Sequence, residues 1–347
     1  MQVIKINTHP QVREKTPYIY KSKMKKNSLH ANYVIGIDGG STSTKAVISN
    51  EAGKILSTEN GLPINFQIIG EELAAKRVIQ LLKKSFSKRK INSYTIKSLV
   101  IGSTGAGRTS DQKRFYKAII LQAKKEKIKI ENLQVISDAV IALEGAFGNS
   151  AGIIMIAGTG SIVFGRDVNG KFHRVGGWGR IIGDEGCGYF IGRLAINLIS
   201  RSFDGRSSST VLKDLAAKKF GFTSQTKIIN KIYKNHFVLS KLAPIVIQAS
   251  EKGDLGSKKI IQLSVNELLL MVETLVKMGD FSNFISSRNK KPIPIACFGG
   301  LVEGSNYFKN KLNRALINSK FKFNIIKSPL SPSIGALQIA LKKINKI

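Results

Sequence analysis

Short apolar runs, glycine-rich turns and amphipathic segments follow one another along most of the chain. The short runs are typical of buried strands, whereas apolar residues that recur every three or four positions are typical of helices. The pattern predicts helices at 71–87, 111–126, 138–147, 305–318 and from 331 onwards, with mainly helical structure at 188–286. It predicts strands at 33–35, 46–48, 54–58, 99–101, 133–136, 152–157, 162–165, 171–175, 292–298 and 323–326.

The predicted elements form two similar units. Each unit begins with a hairpin around a glycine turn, at 36–45 in the first and at 158–161 in the second, and then adds strands and helices in α/β order. Two such lobes facing one another would place both glycine turns on one cleft. The sequence therefore predicts an α/β protein whose cleft could bind nucleotide phosphates and close to exclude water.

The first glycine turn has the composition of a phosphate-binding loop. It has the sequence Gly-Ile-Asp-Gly-Gly-Ser-Thr-Ser-Thr-Lys at 36–45, between two apolar runs. Glycines let backbone N–H groups approach phosphate oxygens, and the carboxylate of Asp38 can hold magnesium through water. A dinucleotide-binding loop would open a helix after its glycines, whereas here a second strand follows. Taken alone, Asp38 could equally be an ordinary turn residue.

Two further glycine turns, at 158–161 and 299–300, also follow apolar runs. Together the three turns resemble the two phosphate motifs and the adenosine motif of the actin/hexokinase/Hsp70-type ATPase superfamily, with Asp138 and Gly335 at the places of its connecting motifs. The resemblance implies an α/β fold of two actin-like (ribonuclease H-like) lobes with a nucleotide cleft between them. It implies that ATP is bound, with magnesium on Asp38, by Asp38, Gly39, Gly40, Ser41, Thr42, Lys45, Gly158, Thr159, Gly160, Ser161, Gly299 and Gly300.

The same resemblance implies the domain organisation. Residues 33–137 would form the N-terminal lobe, completed by a C-terminal helix at 331–345, and residues 138–330 would form the C-terminal lobe with a helical insertion. Residues 1–32 lack periodicity and are predicted to be a disordered basic extension. They contain no apolar core of a signal peptide and are poorer in arginine and serine than a typical transit peptide.

A third segment narrows the resemblance. Residues 176–186 have the sequence Gly-Gly-Trp-Gly-Arg-Ile-Ile-Gly-Asp-Glu-Gly, which resembles N-acetylglucosamine kinases of the BadF/BadG/BcrA/BcrD-type ATPase family. The resemblance implies ATP- and magnesium-dependent phosphorylation of an amino sugar or related hexose on its primary hydroxyl, by a homodimer. It implies sugar contacts from Asn65, Gly177, Trp178, Gly179, Asp184 and Glu185. Without it, Trp178 would be interpreted as a core residue and Asp184 as a helix cap.

One segment departs from the sugar-kinase pattern. Those kinases carry an acid near the reacting hydroxyl where this chain has Gly107, within Thr-Gly-Ala-Gly-Arg at 104–108. Asp111 is close in sequence but is expected to point in another direction, so Asp138 and Asp184 are the candidate catalytic acids. The run resembles instead the activator ATPases of 2-hydroxyacyl-CoA dehydratases, which hydrolyse ATP without a sugar acceptor. ATP hydrolysis as such an activator is therefore the alternative function.

Two observations weigh against the alternatives. The activators hold an iron–sulfur cluster through cysteines of two subunits, whereas Cys187 and Cys297, the two cysteines of this chain, are expected to be buried small residues. A P-loop at 102–109 would require Arg108 in place of its lysine, and it leaves the other glycine turns unexplained. The sugar kinase is therefore the favoured function.

The chain is strongly basic, with a net charge of +33 of which residues 1–32 contribute +6. Its lysines are scattered among Ile and Asn and are not interleaved with aromatic residues, which favours a compositional bias over a nucleic-acid surface. A nucleic-acid-binding protein would show a steep salt dependence of binding. No apolar run is long enough for a membrane helix, and the few cysteines fit a reducing compartment. We therefore expect a cytoplasmic protein that contacts neither membrane nor nucleic acid.

Overall fold

The structure is a computed structural model that describes residues 31–87, 94–285, 291–327 and 329–345. The predicted extension at 1–32 lies outside the described residues except for its last two, which already belong to the first strand. In the described ranges no helix is both long and apolar enough to cross a membrane.

A six-stranded sheet forms the first half of the molecule. Its strands run in the order β3-β2-β1-β4-β5, and β6 also pairs with β4. The strands are β1 (Ala31–Gly39), β2 (Thr44–Ser49), β3 (Ile55–Gly61), β4 (Tyr94–Ser103), β5 (Lys129–Ile130) and β6 (Leu133–Ser137). The strands β1 and β2 are antiparallel and place Asp38 opposite Lys45, so the predicted hairpin is confirmed. Three helices belong to this half: α1 (Phe66–Ile69), α2 (Glu71–Ser87) and α3 (Thr109–Lys125).

A five-stranded sheet forms the second half, in the order β11-β10-β7-β8-β9. Its strands are β7 (Gly152–Ala157), β8 (Ser161–Arg166), β9 (Phe172–Gly176), β10 (Ile293–Phe298) and β11 (Phe323–Ile325). In both sheets an antiparallel hairpin is followed by a parallel strand on its other side, β4 beside β1 and β10 beside β7. The two halves therefore repeat one topology, as the paired glycine turns predicted.

Helices fill the space between β9 and β10. They are α5 (Gly188–Phe203), α6 (Val211–Phe220), α7 (Gln225–Ile229), α8 (Ala243–Glu251), α9 (Leu255–Met278) and α10 (Ser282–Ile285). They pack with the second sheet around one large apolar core, which α11 (Gly300–Glu303) and α12 (Asn306–Ile317) complete. Serine caps start two of these helices: Ser224 accepts a hydrogen bond from the Lys227 N–H at the start of α7, and Ser305 accepts one from the Phe308 N–H at the start of α12.

Two helices join the halves: α4 (Asp138–Phe147), which follows the first sheet, and α13 (Pro332–Asn345). They cross where Gly145 and Gly335 meet. A Cβ on Gly335 would lie 2.0 Å from the Ile141 carbonyl oxygen and 2.6 Å from the Gly145 nitrogen. On its other side α13 lies directly on β1, because a Cβ on Gly36 would be 2.2 Å from the Leu337 nitrogen. Glycines therefore permit the close packing of all three elements.

We predict that Gly335→Ala destabilises the protein by about 3 kcal/mol, because a methyl group would meet backbone atoms that cannot move aside. The effect would exceed the gain in helix propensity of about 1 kcal/mol that alanine brings. Urea unfolding followed by circular dichroism measures the difference. Gly300→Ala is the matched control, since a Cβ there meets no atom within 4 Å. Equal stability of the two variants would contradict this account of the helix crossing.

Candidate functional site

A cavity of about 540 Å³ lies between the two halves of the molecule. Its walls come from both glycine turns, from the loop before α3, from the start of α4 and from the segment after β9. The lining residues are Ser41, Thr42, Gln67, Thr104, Gly105, Gly107, Arg108, Asp111, Ser137, Asp138, Ile156, Gly158, Thr159, Gly160, Ser161, Ile162, Arg174, Gly177, Gly179 and Asp184.

The first glycine turn is tightly constrained. The Gly40 N–H donates to the Ser43 carbonyl at 2.9 Å, and the Gly39 carbonyl accepts from the Thr104 N–H at 2.9 Å. A Cβ on Gly39 would lie 2.4 Å from the Ile64 side chain. Because the turn and the loop after β4 are bonded together, Ser41 and Thr42 stand at one edge of the cavity with Thr104 beside them.

Asp38, at the end of β1, lies in an unfavourable environment for a charged carboxylate. Burial raises the pKa of Asp38 to about 6, and the negative charge of Asp138 adds to the effect while Lys45 opposes it. Asp138 begins α4 directly after β6, where Ser137 caps the helix. One oxygen of Asp138 accepts a hydrogen bond from the Thr104 hydroxyl at 2.7 Å.

This pair of acids fits a divalent cation. A raised pKa beside a second carboxylate means that the charged form is disfavoured, and a bound cation would stabilise it. Magnesium is held in proteins by one or two carboxylates with the remaining positions taken by water and phosphate oxygens. Asp38 and Asp138 therefore have the chemistry to hold magnesium, although only Asp138 lines the cavity and Asp38 does not.

The second glycine turn faces the first across the cavity. The Gly158 N–H donates to the Gly160 carbonyl at 2.9 Å, and the Gly158 carbonyl accepts from the Gly188 N–H at 2.7 Å. The Ser161 hydroxyl donates to the Glu185 carbonyl at 2.6 Å. The turn is thereby tied to the start of α5, and Thr159 and Gly160, which line the cavity, are the turn residues whose N–H groups could meet a phosphate.

The third glycine pair, Gly299 and Gly300, lies beside the second turn. A Cβ on Gly158 would be 3.7 Å from the Gly300 nitrogen, and Gly299 has a φ of 101° that favours glycine. Neither residue lines the central cavity. They adjoin a separate cavity of about 360 Å³, whose lining includes Phe298 on one side of the pair and Val302 on the other.

Asp184 is the strained residue of the site. Its φ of 59° is uncommon for a residue with a side chain. One carboxylate oxygen accepts from the Gly179 N–H at 3.1 Å, and the other would lie 2.6 Å from a Cβ on Gly160. Burial and the charge of Glu185 raise the pKa of Asp184, against the lowering effects of the Gly179 N–H and Arg174. The helix-cap interpretation is wrong, because Cys187 caps α5.

The structure brings together only part of the predicted sugar contacts. Gly177, Gly179 and Asp184 line the central cavity, whereas Asn65, Trp178 and Glu185 do not. Asn65 caps α1 and donates to the Ser41 hydroxyl at 2.8 Å. The interpretation of Trp178 as a core residue is wrong: the side chain is 70% exposed and lines a neighbouring cavity with Met278.

Three charged residues that line the cavity, Arg108, Asp111 and Arg174, were not identified as site residues from the sequence. Asp111 lines the cavity, contrary to the expectation that it would point elsewhere, and it is ion-paired with Arg108 at 3.4 Å and Arg114 at 2.9 Å. Arg174 reaches the cavity from β9. The spacing of Arg108 and Asp111 at the start of a helix could have suggested their pairing, but no local pattern marks Arg174.

Comparison with known proteins identifies the family of the chain. The model of the BadF/BadG/BcrA/BcrD ATPase family matches residues 35–340. The chain belongs to this family. The match spans both sheets, so this BadF/BadG/BcrA/BcrD-type ATPase has the two-lobed fold that the glycine turns predicted, and the P-loop alternative is wrong.

Relatives of this BadF/BadG/BcrA/BcrD-type ATPase include sugar kinases. The chain is 35% identical over 312 residues to an N-acetylmuramic acid/N-acetylglucosamine kinase of Clostridium acetobutylicum, covering 89% of this chain and 98% of that protein. It is 27% identical to an N-acetyl-D-glucosamine kinase of Dictyostelium discoideum, covering 88% and 97%. A crystal structure from Chromobacterium violaceum, provisionally named an N-acetylglucosamine kinase, has the same fold, with a TM-score of 0.70, 22% identity and coverage of 89% and 98%.

We predict that Asp38→Asn stabilises the nucleotide-free, metal-free protein at about pH 8 by about 1 to 3 kcal/mol. The raised pKa means that the charged carboxylate costs stability. The cost is absent when Asp38 is protonated in both the folded and the unfolded state, below about pH 4, and it is complete above the folded-state pKa. Chemical unfolding of both proteins across this pH range measures the difference between their free energies of unfolding. A difference that does not grow with increasing pH would contradict the raised pKa.

Proposed function

We propose that this protein transfers the γ-phosphoryl group of ATP to the primary hydroxyl of an N-acetylated amino sugar or a related hexose. The observation that carries the proposal is the cavity itself. Two phosphate-type glycine turns and Asp184 meet there in a chain whose relatives of nearly the same length are N-acetylglucosamine kinases. An ATP-using kinase needs little more than positioning and charge stabilisation from such a cavity.

The phosphates would be held by both glycine turns. The backbone N–H groups of Ser41, Thr42, Thr159 and Gly160 would face the phosphate oxygens, since those of Gly40 and Gly158 already donate within their own turns. Lys45 would add a positive charge near Asp38. Asp38 and Asp138 would hold magnesium, which supplies neutralisation of the charge on the phosphoryl oxygens when it is bound. The nucleoside would extend towards Gly299 and Gly300 and the cavity beside them.

The acceptor would lie on the side of Asp184. Its carboxylate stands against the second glycine turn, within reach of a hydroxyl positioned for attack on a bound phosphate. A raised pKa moves Asp184 towards the range in which a carboxylate accepts a proton efficiently near neutral pH. Asp138 is less suited to this task because it is bonded to Thr104 and lies beside Asp38. The N–H groups of Gly177 and Gly179 already donate to Ser161 and Asp184, so these glycines would offer their carbonyl oxygens to the sugar hydroxyls. The side chains of Asn65, Trp178 and Glu185 would reach the sugar if the loop closed over the cavity.

The alternative, an activator that hydrolyses ATP and reduces a partner, has weaker support. Cys187 is fully buried at the start of α5. Burial raises the pKa of Cys297 in β10 to about 12, so its thiol stays protonated. A thiolate is the form that ligates an iron–sulfur cluster, and burial also raises the pKa of the Cys187 thiol, so both thiols are disfavoured as cluster ligands.

The family resemblance also supports a homodimer in the cytoplasm. The dimeric state and the cytoplasmic location are inferred from the resemblance alone. Analytical ultracentrifugation measures the dimeric state directly.

We predict that ADP release by the wild-type protein depends on sugar. A panel of N-acetylglucosamine, N-acetylmuramic acid, glucosamine and glucose with ATP and magnesium, read by a coupled ADP assay, should show turnover only with an acceptor. Phosphorus NMR of the product should place the phosphate on the primary hydroxyl. Asp38→Asn should abolish turnover while the protein remains folded. ADP release that is equal with and without sugar would refute the kinase and favour the activator.

We predict that Asp184→Asn lowers kcat by about 100- to 10,000-fold, as expected for loss of a group that accepts the proton. Asparagine tolerates the positive φ of this position, so backbone strain does not explain the loss. The binding of ATP, followed by equilibrium titration, should be little changed. Asp214→Asn, which removes an exposed acid from α6, is the control. Activity of Asp184→Asn close to that of the control would rule out this role.

A further inference from the structure

A second cavity adjoins the central one, on the other side of the segment that follows β9. Its volume is about 400 Å³, within the range of about 300 to 1,000 Å³ that is usual for small-molecule sites. The proposed chemistry gives this outer cavity no task. Its lining residues are Arg174, Val175, Gly176, Trp178, Thr274 and Met278.

The segment after β9 forms the wall between the two cavities. Gly176 and Trp178 line the outer cavity, whereas Gly177 and Gly179 line the central one. The three glycines have φ values of 75°, 70° and 91°, which glycine adopts without strain. The wall is therefore a single chain segment that presents backbone to the central cavity and the indole of Trp178 to the outer one.

Arg174 braces this wall and borders both cavities. Its Nε donates to the Gly176 carbonyl at 3.0 Å, and Nη2 donates to the Gly177 carbonyl. Nη1 lies 3.8 Å from the place that a Cβ on Gly107 would occupy, so it faces the central cavity, where the charge of Arg174 also lowers the pKa of Asp184. A ligand that fills both cavities would therefore pass a donor whose orientation is fixed.

The outer cavity has the chemistry of a site for a sugar ring. A pyranose has an apolar face of C–H groups and a rim of hydroxyls, so it packs against an aromatic ring while a few polar groups bind its rim. Trp178 is 70% exposed, and Met278, at the end of α9, is 55% exposed. These two residues supply apolar surface, and Thr274 and Arg174 supply a hydroxyl and a guanidinium.

The position of the outer cavity favours a ring that is joined to the acceptor. Asp184, Gly177 and Gly179 would hold the phosphorylated ring in the central cavity. Trp178 would touch that ring only after closure of the loop, whereas a second ring in the outer cavity would meet the indole without any movement. Because the two cavities adjoin at Arg174, the linkage between the rings would cross the wall there.

We propose that the outer cavity binds a second sugar ring, linked to the ring that receives the phosphate, with Trp178 and Met278 against its apolar face. The acceptor is then a disaccharide of N-acetylated amino sugars. The inference rests on the proposed kinase function and specifies its substrate class. The γ-phosphoryl group of ATP passes to the primary hydroxyl of the first ring, the proton of that hydroxyl passes to Asp184, and the bond between the rings stays intact.

The experiment compares N-acetylglucosamine with its β-1,4-linked dimer as acceptors for the full chain. The wild type should use the dimer with a kcat/KM at least about 10-fold higher, through a lower KM, because the second ring is bound equally in the ground state and the transition state. Mass spectrometry of the product should show one phosphate on the intact dimer.

Three variants test the lining of the outer cavity. Trp178→Ala should lower the ratio of kcat/KM for the dimer to kcat/KM for the monomer by about 10-fold, and Met278→Ala should lower it by about threefold, since each removes apolar contact area. Ile181→Ala is the matched control, because Ile181 lies in the same loop, is 87% exposed and lines neither cavity. It should leave the ratio unchanged, and circular dichroism confirms that each variant is folded.

Fluorescence gives a second measurement that does not depend on turnover. Trp178 is the one tryptophan of the chain, so the emission of the wild type reports on the outer cavity alone. Titration with the dimer in the absence of ATP should shift the emission to shorter wavelength, because a ring over the indole excludes water. Saturation with the monomer should leave the emission wavelength unchanged.

Three results would overturn the inference. One is a wild type that phosphorylates the monomer but not the dimer. Another is an unchanged ratio in Trp178→Ala, including an equal loss for both sugars. The third is an equal emission shift with the monomer, which would place Trp178 on the phosphorylated ring. A wild type that phosphorylates neither sugar would refute the kinase function itself, and the inference with it.

Discussion

The crossing of α4 and α13 is the contact on which the rest of the structure depends. Gly145 and Gly335 bring the two helix backbones together without side chains between them, and Gly36 brings α13 onto β1 in the same way. The two sheets, which share no strand, are therefore connected through backbone contacts that tolerate little change in spacing. Glu144 reinforces the crossing through ion pairs with Arg166 of β8 and Lys342 of α13, so that a buried acid of α4 is neutralised from both sides.

The same crossing sets the charges of the cavity. Asp138 is the first residue of α4, and Asp38 is the last residue but one of β1, the strand on which α13 lies. The spacing of the two acids thus follows from the backbone packing together with Thr104, which is bonded both to Asp138 and to the Gly39 carbonyl beside Asp38. Burial and, to a lesser extent, repulsion by Asp138 raise the pKa of Asp38, so the folded apo protein holds an unfavourable charge that a bound cation would stabilise. Such a local loss of stability is the cost expected where a site is arranged for binding and not for the stability of the empty protein.

The sequence revealed features that depend on local chemistry. The hairpins around both glycine turns, the capped α12 and the proline-started α13 follow from residues within a few positions of one another, and the structure has them nearly at the predicted bounds. The exposure of Trp178 could not be inferred in this way, because it depends on Gly177 and Gly179, whose positive φ values turn the loop away from the core. The place of Asp111 depends likewise on Arg114, one turn further along α3.

The acceptor side shows why a motif is not sufficient to define a site. Gly107 taken alone signals only that an expected acid is missing, and Arg174 taken alone is one of many basic residues in a basic chain. Their meaning comes from the distance between them across the cavity, which only the folded arrangement of both halves provides. Because position 107 carries no acid, the charge of Arg174 acts on Asp184 of its own half, where it lowers the pKa against the effect of burial.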